Sequence, residues 1–334
     1  MFDLPSVWAG IIALGVFIYV MLDGFDLGIG ILFPFFPEER DRNVMMNTVA
    51  PVWDANETWL VLGGAGLFAA FPVVYSAVLS ALYLPLILML CGLIFRGVAF
   101  EIRGKARRTR HVWDLAFILG SSGAAFFQGV ALGAYIQGIR VEGREFAGGV
   151  FDWLTPFSLF TGAGVVITYA ALGCGWLIIK TDGDLQRRLF RIMPFLTWAW
   201  LAAIGMVSIW TPLLDTAIGE RWFRLPNLFF LMPVPLAVLA CVAAILRACR
   251  NKNERQPYGF ALLLAALGYA GFVISIWPML IPPSVSLWQA AAPESSLAFT
   301  LVGAVIIIPV ILVYSALGYW VFRGKVRASD EGYH

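Results

Sequence analysis

Long apolar segments recur along the whole chain, and they constrain its fold more than any other feature. Eight stretches have at least the length, about 20 residues, that an α-helix needs to cross the hydrocarbon core of a bilayer. Of the 334 residues, 60% are hydrophobic and 13% are charged, whereas a soluble domain is nearer half apolar and a quarter charged. The sequence therefore predicts an all-α polytopic membrane protein of about eight transmembrane helices. The apolar segments are roughly residues 7–33, 57–100, 114–136, 156–179, 194–213, 227–247, 258–280 and 297–322.

The second apolar segment is too long for a single crossing. It breaks before Pro72, and the front piece, residues 57–70, is too short to span a bilayer alone. We expect a partial or broken helix followed by one full crossing, which makes eight spans, with nine as the alternative. Eight spans permit two four-helix bundles. The first would occupy residues 1–185 and contain the broken second helix, and the second, with a cytoplasmic tail, would occupy 186–334.

Basic residues are concentrated in alternate loops. Five Lys or Arg lie in 101–111, four in 180–191 and four in 247–255, and the tail after Phe322 adds three more. Cytoplasmic loops of membrane proteins carry an excess of Lys and Arg, so we expect these loops in the cytoplasm. With eight spans, both termini are then cytoplasmic. Beyond these short basic loops, nothing in the sequence supports binding to nucleic acid.

Two pairs of acids interrupt the apolar background. The first is Asp23 and Asp26 in the stretch MLDGFDLGIG, and the second is Asp54 and Glu57 in PVWDANETWL. In each pair, the three-residue spacing puts both carboxylates on one face of a helix. An ionised carboxylate in hydrocarbon costs several kcal/mol, so these groups should face protein or water. They are candidates for a proton route. With a cytoplasmic N-terminus, both pairs would lie toward the outer side of the membrane, where they could approach each other.

The same residues also have a structural interpretation. The acids could cap helix ends or bind backbone groups freed by nearby glycine and proline. Gly24 and Gly28 form a small-xxx-small ridge, which favours close helix packing. Trp53 and Trp59 flank the second acid pair. They could line a path for a small apolar molecule, although packing and anchoring at the membrane interface are the commoner uses of such aromatics.

Histidine and cysteine usage argues against a metal centre in this chain. The sequence has two histidines, His111 in a basic loop and His334 at the terminus. Neither falls in a predicted span, so we expect neither haem ligands nor a metal site inside the membrane. The four cysteines lie in or beside apolar segments without CxxC spacing, which predicts packing roles and not disulfides.

Two stretches of the sequence resemble a known family. The run LDGFDLGIG, followed by MNTVAPVWDANETWLVLGGAGLFAAFP, is similar to the N-terminal region of subunit II of cytochrome bd-type quinol oxidases. The stretch WPMLIPPSVSLWQAAAPESSLAFTL resembles the family's segment before its last helix. The likeness covers essentially the whole chain. Ala55 replaces a glycine that many members have, and the short length and ANETW motif are similar to the cyanide-insensitive branch.

The resemblance implies a fold of two four-helix bundles, paired with a homologous, haem-bearing subunit I in the bacterial cytoplasmic membrane. Subunit I would ligate haem b and haem d, or a b-type haem in place of haem d, and would bind most of the quinol. The complex would oxidise quinol and reduce dioxygen to water with cytoplasmic protons, without pumping. The resemblance leaves room for a structural quinone or lipid in this chain, for small single-helix accessory subunits and for contacts with membrane lipid.

Carried over by motif, Asp54 would be a proton-conducting acid at the contact with subunit I. Asp23 and Asp26 would lie near it in the first helix, and Trp59 would be a candidate on a route for dioxygen. From the residues alone, two other functions stay open. A proton-coupled secondary transporter also fits intramembrane acids and a broken helix, although such transporters usually show an internal repeat and none is visible here. The other is a structural scaffold with no part in proton movement.

Overall fold

The described chain is a set of long helices joined by short loops. The computed structural model describes residues 3–106, 108–214 and 216–327. A 3₁₀ turn (Phe33–Phe35) follows α1, and two hairpins pair β1 (Val141–Glu142) with β2 (Glu145–Phe146) and β3 (Met279–Ile281) with β4 (Val285–Ser286). The helices are α1 (Leu4–Leu32), α2 (Glu39–Asn47), α3 (Trp53–Ala70), α4 (Pro72–Ala81), α5 (Tyr83–Arg103), α6 (Arg110–Ile136), α7 (Pro156–Lys180), α8 (Gly183–Leu214), α9 (Thr216–Phe223), α10 (Asn227–Leu231), α11 (Pro233–Arg250), α12 (Gln256–Ile276), α13 (Leu287–Ala290) and α14 (Glu294–Val321).

Eight helical segments of the described chain are long and apolar enough to cross a membrane. They are α1, α5, α6, α7, α8, α10 together with α11, α12 and α14. This confirms the predicted all-α polytopic fold, and the eight candidates agree in number with the strongly apolar segments of the sequence. The helix break before Pro72 is also present, because α3 ends at Ala70 and α4 begins at Pro72. The division into two bundles at residue 185 stays a prediction.

Helix α3 is an additional long helix that runs antiparallel to α1. Asn56, near its start, bonds Asp26 near the end of α1. Further along α3, Gly66 lies against Ile12 near the start of α1. The 18 residues of α3 extend for about 27 Å at the helical rise of 1.5 Å per residue. The chain therefore traverses the bundle once more than the eight strongly apolar segments indicate.

This extra traverse places the two ends of the chain at opposite ends of the bundle. Asp3 accepts a hydrogen bond from Trp288, just before α14 begins, whereas the amide of Val326, just after α14 ends, bonds the carbonyl of Lys180. Between them α14 extends for about 42 Å. Eight crossings would put both termini at one end of the bundle, whereas Asp3 and Val326 lie at opposite ends of it. The physical reason for this difference is that the polar first turns of α3 lower its hydropathy, although the helix is long enough to return along α1. The side of the membrane on which each terminus lies stays a prediction.

The loops that carry most of the basic residues lie together, at what we call the basic end of the bundle. There Lys325 binds Glu254 in the α11–α12 loop, and Arg188 binds Asp41 on α2 at 2.9 Å. Arg103 at the end of α5 bonds Asn43, also on α2. The opposite end carries the N-terminus and both hairpins.

The acid pairs lie toward the basic end of the bundle, whereas the sequence analysis expected them toward the side opposite the basic loops. Asp26 lies near the end of α1, and Arg96, which faces it, lies two turns before Arg103 on α5. The cause is the same extra traverse. Because α1 starts at the end of the bundle opposite the basic loops, its last turns approach those loops.

Candidate functional site

A buried arginine on α5 gathers the carboxylates of α1 and α3. The Arg96 side chain is fully buried, and its guanidinium donates to Asp23 and, at 3.0 Å, to Glu57. The same guanidinium lies 3.8 Å from an oxygen of Asp26. One cation thus faces three carboxylates on two other helices. We call Arg96, Asp23, Asp26 and Glu57 the Arg96 cluster.

A hydrogen-bonded chain extends the Arg96 cluster to α14. The Asn56 side-chain amide donates to Asp26 at 2.7 Å, and the Tyr319 hydroxyl donates to the Asn56 carbonyl oxygen at 2.8 Å. Asn56 is fully buried. Because its two amide atoms join Asp26 to Tyr319, Asn56 orients a carboxylate of α1 against the last helix.

Two aromatic rings cover the guanidinium. Trp53 stacks on Phe100 with ring centroids 5.1 Å apart and planes inclined by 10°. The Arg96 carbon Cζ lies 5.5 Å from the Trp53 ring centroid and 5.7 Å from that of Phe100. A cation over aromatic faces at these distances is attracted by the ring quadrupoles. Trp53 therefore forms a wall of the Arg96 cluster.

Several polar atoms of the cluster have no partner among the described residues. They are one oxygen of Asp23, one oxygen of Asp26 and the Nε of Arg96. Buried polar groups are normally hydrogen-bonded. The free oxygens can accept hydrogen bonds from water, or bind a proton.

Asp54 and Trp59 lie outside the contacts of Arg96. Asp54 is exposed in the first turn of α3, one turn before Glu57, whose side chain is 29% exposed. Trp59 is buried, and its indole N–H has no hydrogen-bond acceptor among the described residues. The structure thus brings three of the four predicted acids together and leaves Asp54 on the surface of this chain.

Gly24 and Gly28 lie where α1 contacts α7. A Cβ added to Gly28 would be 1.9 Å from the backbone carbonyl oxygen of Tyr169, and one added to Gly24 would be 2.8 Å from the Tyr169 ring. No side chain fits at residue 28 unless the two helices separate. This close approach positions the turn of α1 that carries Asp23 and Asp26.

Arg96 is the residue that the sequence interpretation missed. The signal was present, since a single arginine interrupts the apolar run LCGLIFRGVAF. Ionisable residues inside membrane helices face protein or a water-filled cavity and mark functional sites. The two predicted acid pairs require a counter-charge, and Phe100, one of the two rings that cover this arginine, lies one turn after it on α5.

One of the two histidines lies within the part of the chain that the structure describes. His111 lies exposed in the first turn of α6, which begins at Arg110, and His334 lies outside the described residues. Within the described ranges, no group of three His, Cys, Asp or Glu is arranged to hold a metal ion.

Comparison with known proteins identifies the family. The sequence model of the family described as cytochrome bd terminal oxidase subunit II matches residues 4–322. The chain belongs to this family. Subunit II chains similar to it include the cytochrome bd ubiquinol oxidase subunit 2 of Bacillus subtilis strain 168, with 30% identity over 99% of each chain. The cytochrome bd-I ubiquinol oxidase subunit 2 of Escherichia coli K12 is 29% identical over 96% of this chain and 94% of its own.

A solved structure supports the fold of subunit II independently. A chain of the bd oxidase from Geobacillus thermodenitrificans superposes with a TM-score of 0.79, covering 96% of this chain and 99% of its own at 16% identity. That likeness concerns the fold alone. With the family match, it identifies this subunit II as a multi-pass bacterial inner-membrane protein and as part of a quinol oxidase complex, which implies a partner subunit I.

Proposed function

We propose that this chain is the non-haem-ligating subunit of a terminal quinol oxidase, and that its Arg96 cluster conducts protons toward subunit I. The complex would oxidise quinol and reduce dioxygen to water with protons from the cytoplasm. The names of the E. coli and B. subtilis relatives, both ubiquinol oxidase subunits, support quinol as the reductant. The observation that carries the proposal is the buried guanidinium that faces three carboxylates.

The charges in the cluster favour a bound proton. Three ionised carboxylates and one guanidinium would leave a net charge of −2, that is, three negative charges against one positive. An excess buried charge is costly in apolar surroundings, and protonation relieves it. The unpartnered oxygens of Asp23 and Asp26 are where such a proton can bind. The positive charge of Arg96 stabilises an ionised carboxylate in the cluster, and that carboxylate can accept the next proton.

We infer the order of the acids on the proton path from how exposed each side chain is. Asp23 and Asp26 are buried, Glu57 is partly exposed and Asp54 is exposed on α3. A carboxylate on the outer face of a membrane helix needs a polar partner, and subunit I is the partner the family implies. Protons from the basic end would therefore enter at Asp54, in the first turn of α3, and pass through Glu57 to the buried acids, along the surface that subunit I would cover.

The remaining assignments concern dioxygen and cofactors. Trp59 is our candidate on a dioxygen route, and Trp53, which covers Arg96, is a weaker one. In this proposal subunit I binds haem b and either haem d or a b-type haem in its place. Subunit I also makes most of the contacts with quinol. A structural quinone in this chain and small accessory subunits are compatible with it. The basic end would face the cytoplasm.

The sharpest test of proton conduction is Asp54→Asn in the complete complex. We expect quinol-driven oxygen consumption to fall roughly 10- to 100-fold, because a carboxamide cannot relay a proton. Haem content and subunit stoichiometry should stay normal. The matched control is Asp184→Asn, an exposed acid at the start of α8, which should leave oxygen consumption unchanged. Normal consumption in Asp54→Asn with normal haem content would show that Asp54 does not conduct protons, and would favour the scaffold interpretation.

A purification separates the oxidase from the transporter. The tagged chain, isolated gently from its native membrane, should carry a second large subunit and the absorption bands of haem. A colourless protein without a partner would contradict the oxidase proposal.

A further inference from the structure

A cavity at the basic end has the composition of a binding site for an anionic phospholipid. It lies between the end of α11 and the start of α12 and has a volume of about 620 Å³. Its polar lining includes Arg247, Lys252, Asn253 and Gln256. Its apolar lining is Ala244 and Phe260, each one helical turn deeper than the polar residues. We call it the α11–α12 cavity.

The two cations of the cavity lack a counterion in the chain. The one acid of the α11–α12 loop, Glu254, is bound to Lys325 of the C-terminal tail at 2.9 Å. Among the described residues, neither Arg247 nor Lys252 forms an ion pair. The side-chain oxygen of Asn253 accepts hydrogen bonds from the backbone amides of Arg255 and Gln256. The side-chain NH₂ of Asn253 is therefore a further donor. The cavity therefore offers donors and positive charge without a carboxylate among its lining residues.

Lys252 occupies a backbone conformation that a lysine rarely adopts. Its φ is +53°, at the position where α11 ends and where helices commonly place glycine. The amide of Asn253 bonds the carbonyl of Ala248 at 2.9 Å, which closes the helix end. Glycine would hold this conformation at lower cost. The backbone conformation at residue 252 favours glycine, so the reason for a lysine at this position lies in its charged side chain.

We propose that the α11–α12 cavity binds the phosphate of an anionic phospholipid, with Arg247 and Lys252 as the phosphate ligands. The acyl chains would begin against Ala244 and Phe260 and continue into the membrane. The apolar part of the cavity favours a lipid over free phosphate. Anionic lipids are also concentrated in the cytoplasmic leaflet, which basic segments contact. Subunit II would thus have an anionic lipid site whose lining residues are not members of the Arg96 cluster.

The test measures lipid retention in the delipidated complex of both subunits. Native mass spectrometry would follow titration with phosphatidylglycerol, with phosphatidylcholine of the same acyl chains as the comparison. Removing both cations in Arg247→Gln/Lys252→Gly should weaken phosphatidylglycerol binding roughly 30-fold, the effect of two lost cationic contacts. Because glycine suits residue 252, this variant should be as stable as the wild type in lipid-free detergent.

The control removes the same charge outside the cavity. Arg250→Gln/Arg255→Gln changes two cations of the same loop region that do not line the cavity, and it should lose much less affinity. Equal losses in the two variants would mean diffuse attraction to surface charge and would overturn the site. The lipid assignment would also be overturned if wild type bound both lipids equally, or if inorganic phosphate competed as well as phosphatidylglycerol did.

Discussion

At the scale of single residues, Arg96 decides the chemistry of the buried acids. Without a cation between them, Asp23 and Asp26 would be two neighbouring buried carboxylates with no counter-charge. In the proposed proton path, Arg96 would let an ionised carboxylate lie beside a neutral one. That mixture is what proton relay requires, since one group must accept while another donates.

Replacing Arg96 by Gln should destabilise the complex strongly. Loss of one partner of a buried ion pair leaves uncompensated charge and costs about 3–5 kcal/mol. Thermal unfolding and the yield of assembled complex would measure this. Adding Asp23→Asn to Arg96→Gln should restore part of the stability. The control is Arg187→Gln on the surface, whose pair with Asp184 is exposed, and such pairs contribute about 0–1 kcal/mol. If both arginine variants were equally stable, Arg96 would not hold the cluster together.

At the scale of helices, the contact of α1 with α7 sets the position of the Arg96 cluster. Gly28 lies against the backbone of Tyr169, and Gly173 on α7 lies against Gly28 in return. Small residues allow two backbones in a membrane to approach closely and gain van der Waals contact. The sequence ridge at Gly24 and Gly28 indicated close packing, but its partner helix became known only from the structure.

Gly28→Ala and Gly10→Ala form a matched pair on the same helix. The Cβ of an alanine at residue 28 would overlap the Tyr169 carbonyl, so we expect a cost of about 3 kcal/mol or more and reduced assembly. A Cβ at residue 10 would meet nothing within 4 Å. Gly10→Ala should therefore be neutral or stabilise the helix by about 0.5–1 kcal/mol. Chemical denaturation in detergent compares the two, and similar unfolding midpoints would contradict the α1–α7 contact.

At the scale of the whole molecule, the path of α3 decides the topology. Because α3 returns along α1, the N-terminus and the C-terminal tail lie at opposite ends of the bundle. The basic loops and the tail share one end, and by the positive-inside rule we propose that this end faces the cytoplasm. The Arg96 cluster would then lie nearer the cytoplasmic side, where protons for water formation would enter.

Protease accessibility tests this topology directly. An epitope at the N-terminus should be cleaved by protease added to intact spheroplasts, whereas one at the C-terminus should be cleaved only after lysis. If neither epitope were cleaved in intact spheroplasts, the result would support eight crossings and a cytoplasmic N-terminus. The residues of the Arg96 cluster would remain together in that case, but their distance from the cytoplasm would change.

The sequence alone determined the fold class, the eight strongly apolar spans and the helix break before Pro72, because hydrocarbon thickness and proline act on local segments. Motif likeness determined the family, which the comparison confirmed. The tertiary structure decided which acids meet, since Asp23, Glu57 and Arg96 lie on three helices that only packing brings together. It also decided the direction of α1. Asn56 and Glu57 near the start of α3 lower its hydropathy, yet they bind Asp26 and Arg96 on neighbouring helices. A local sequence pattern cannot show that these partners are present.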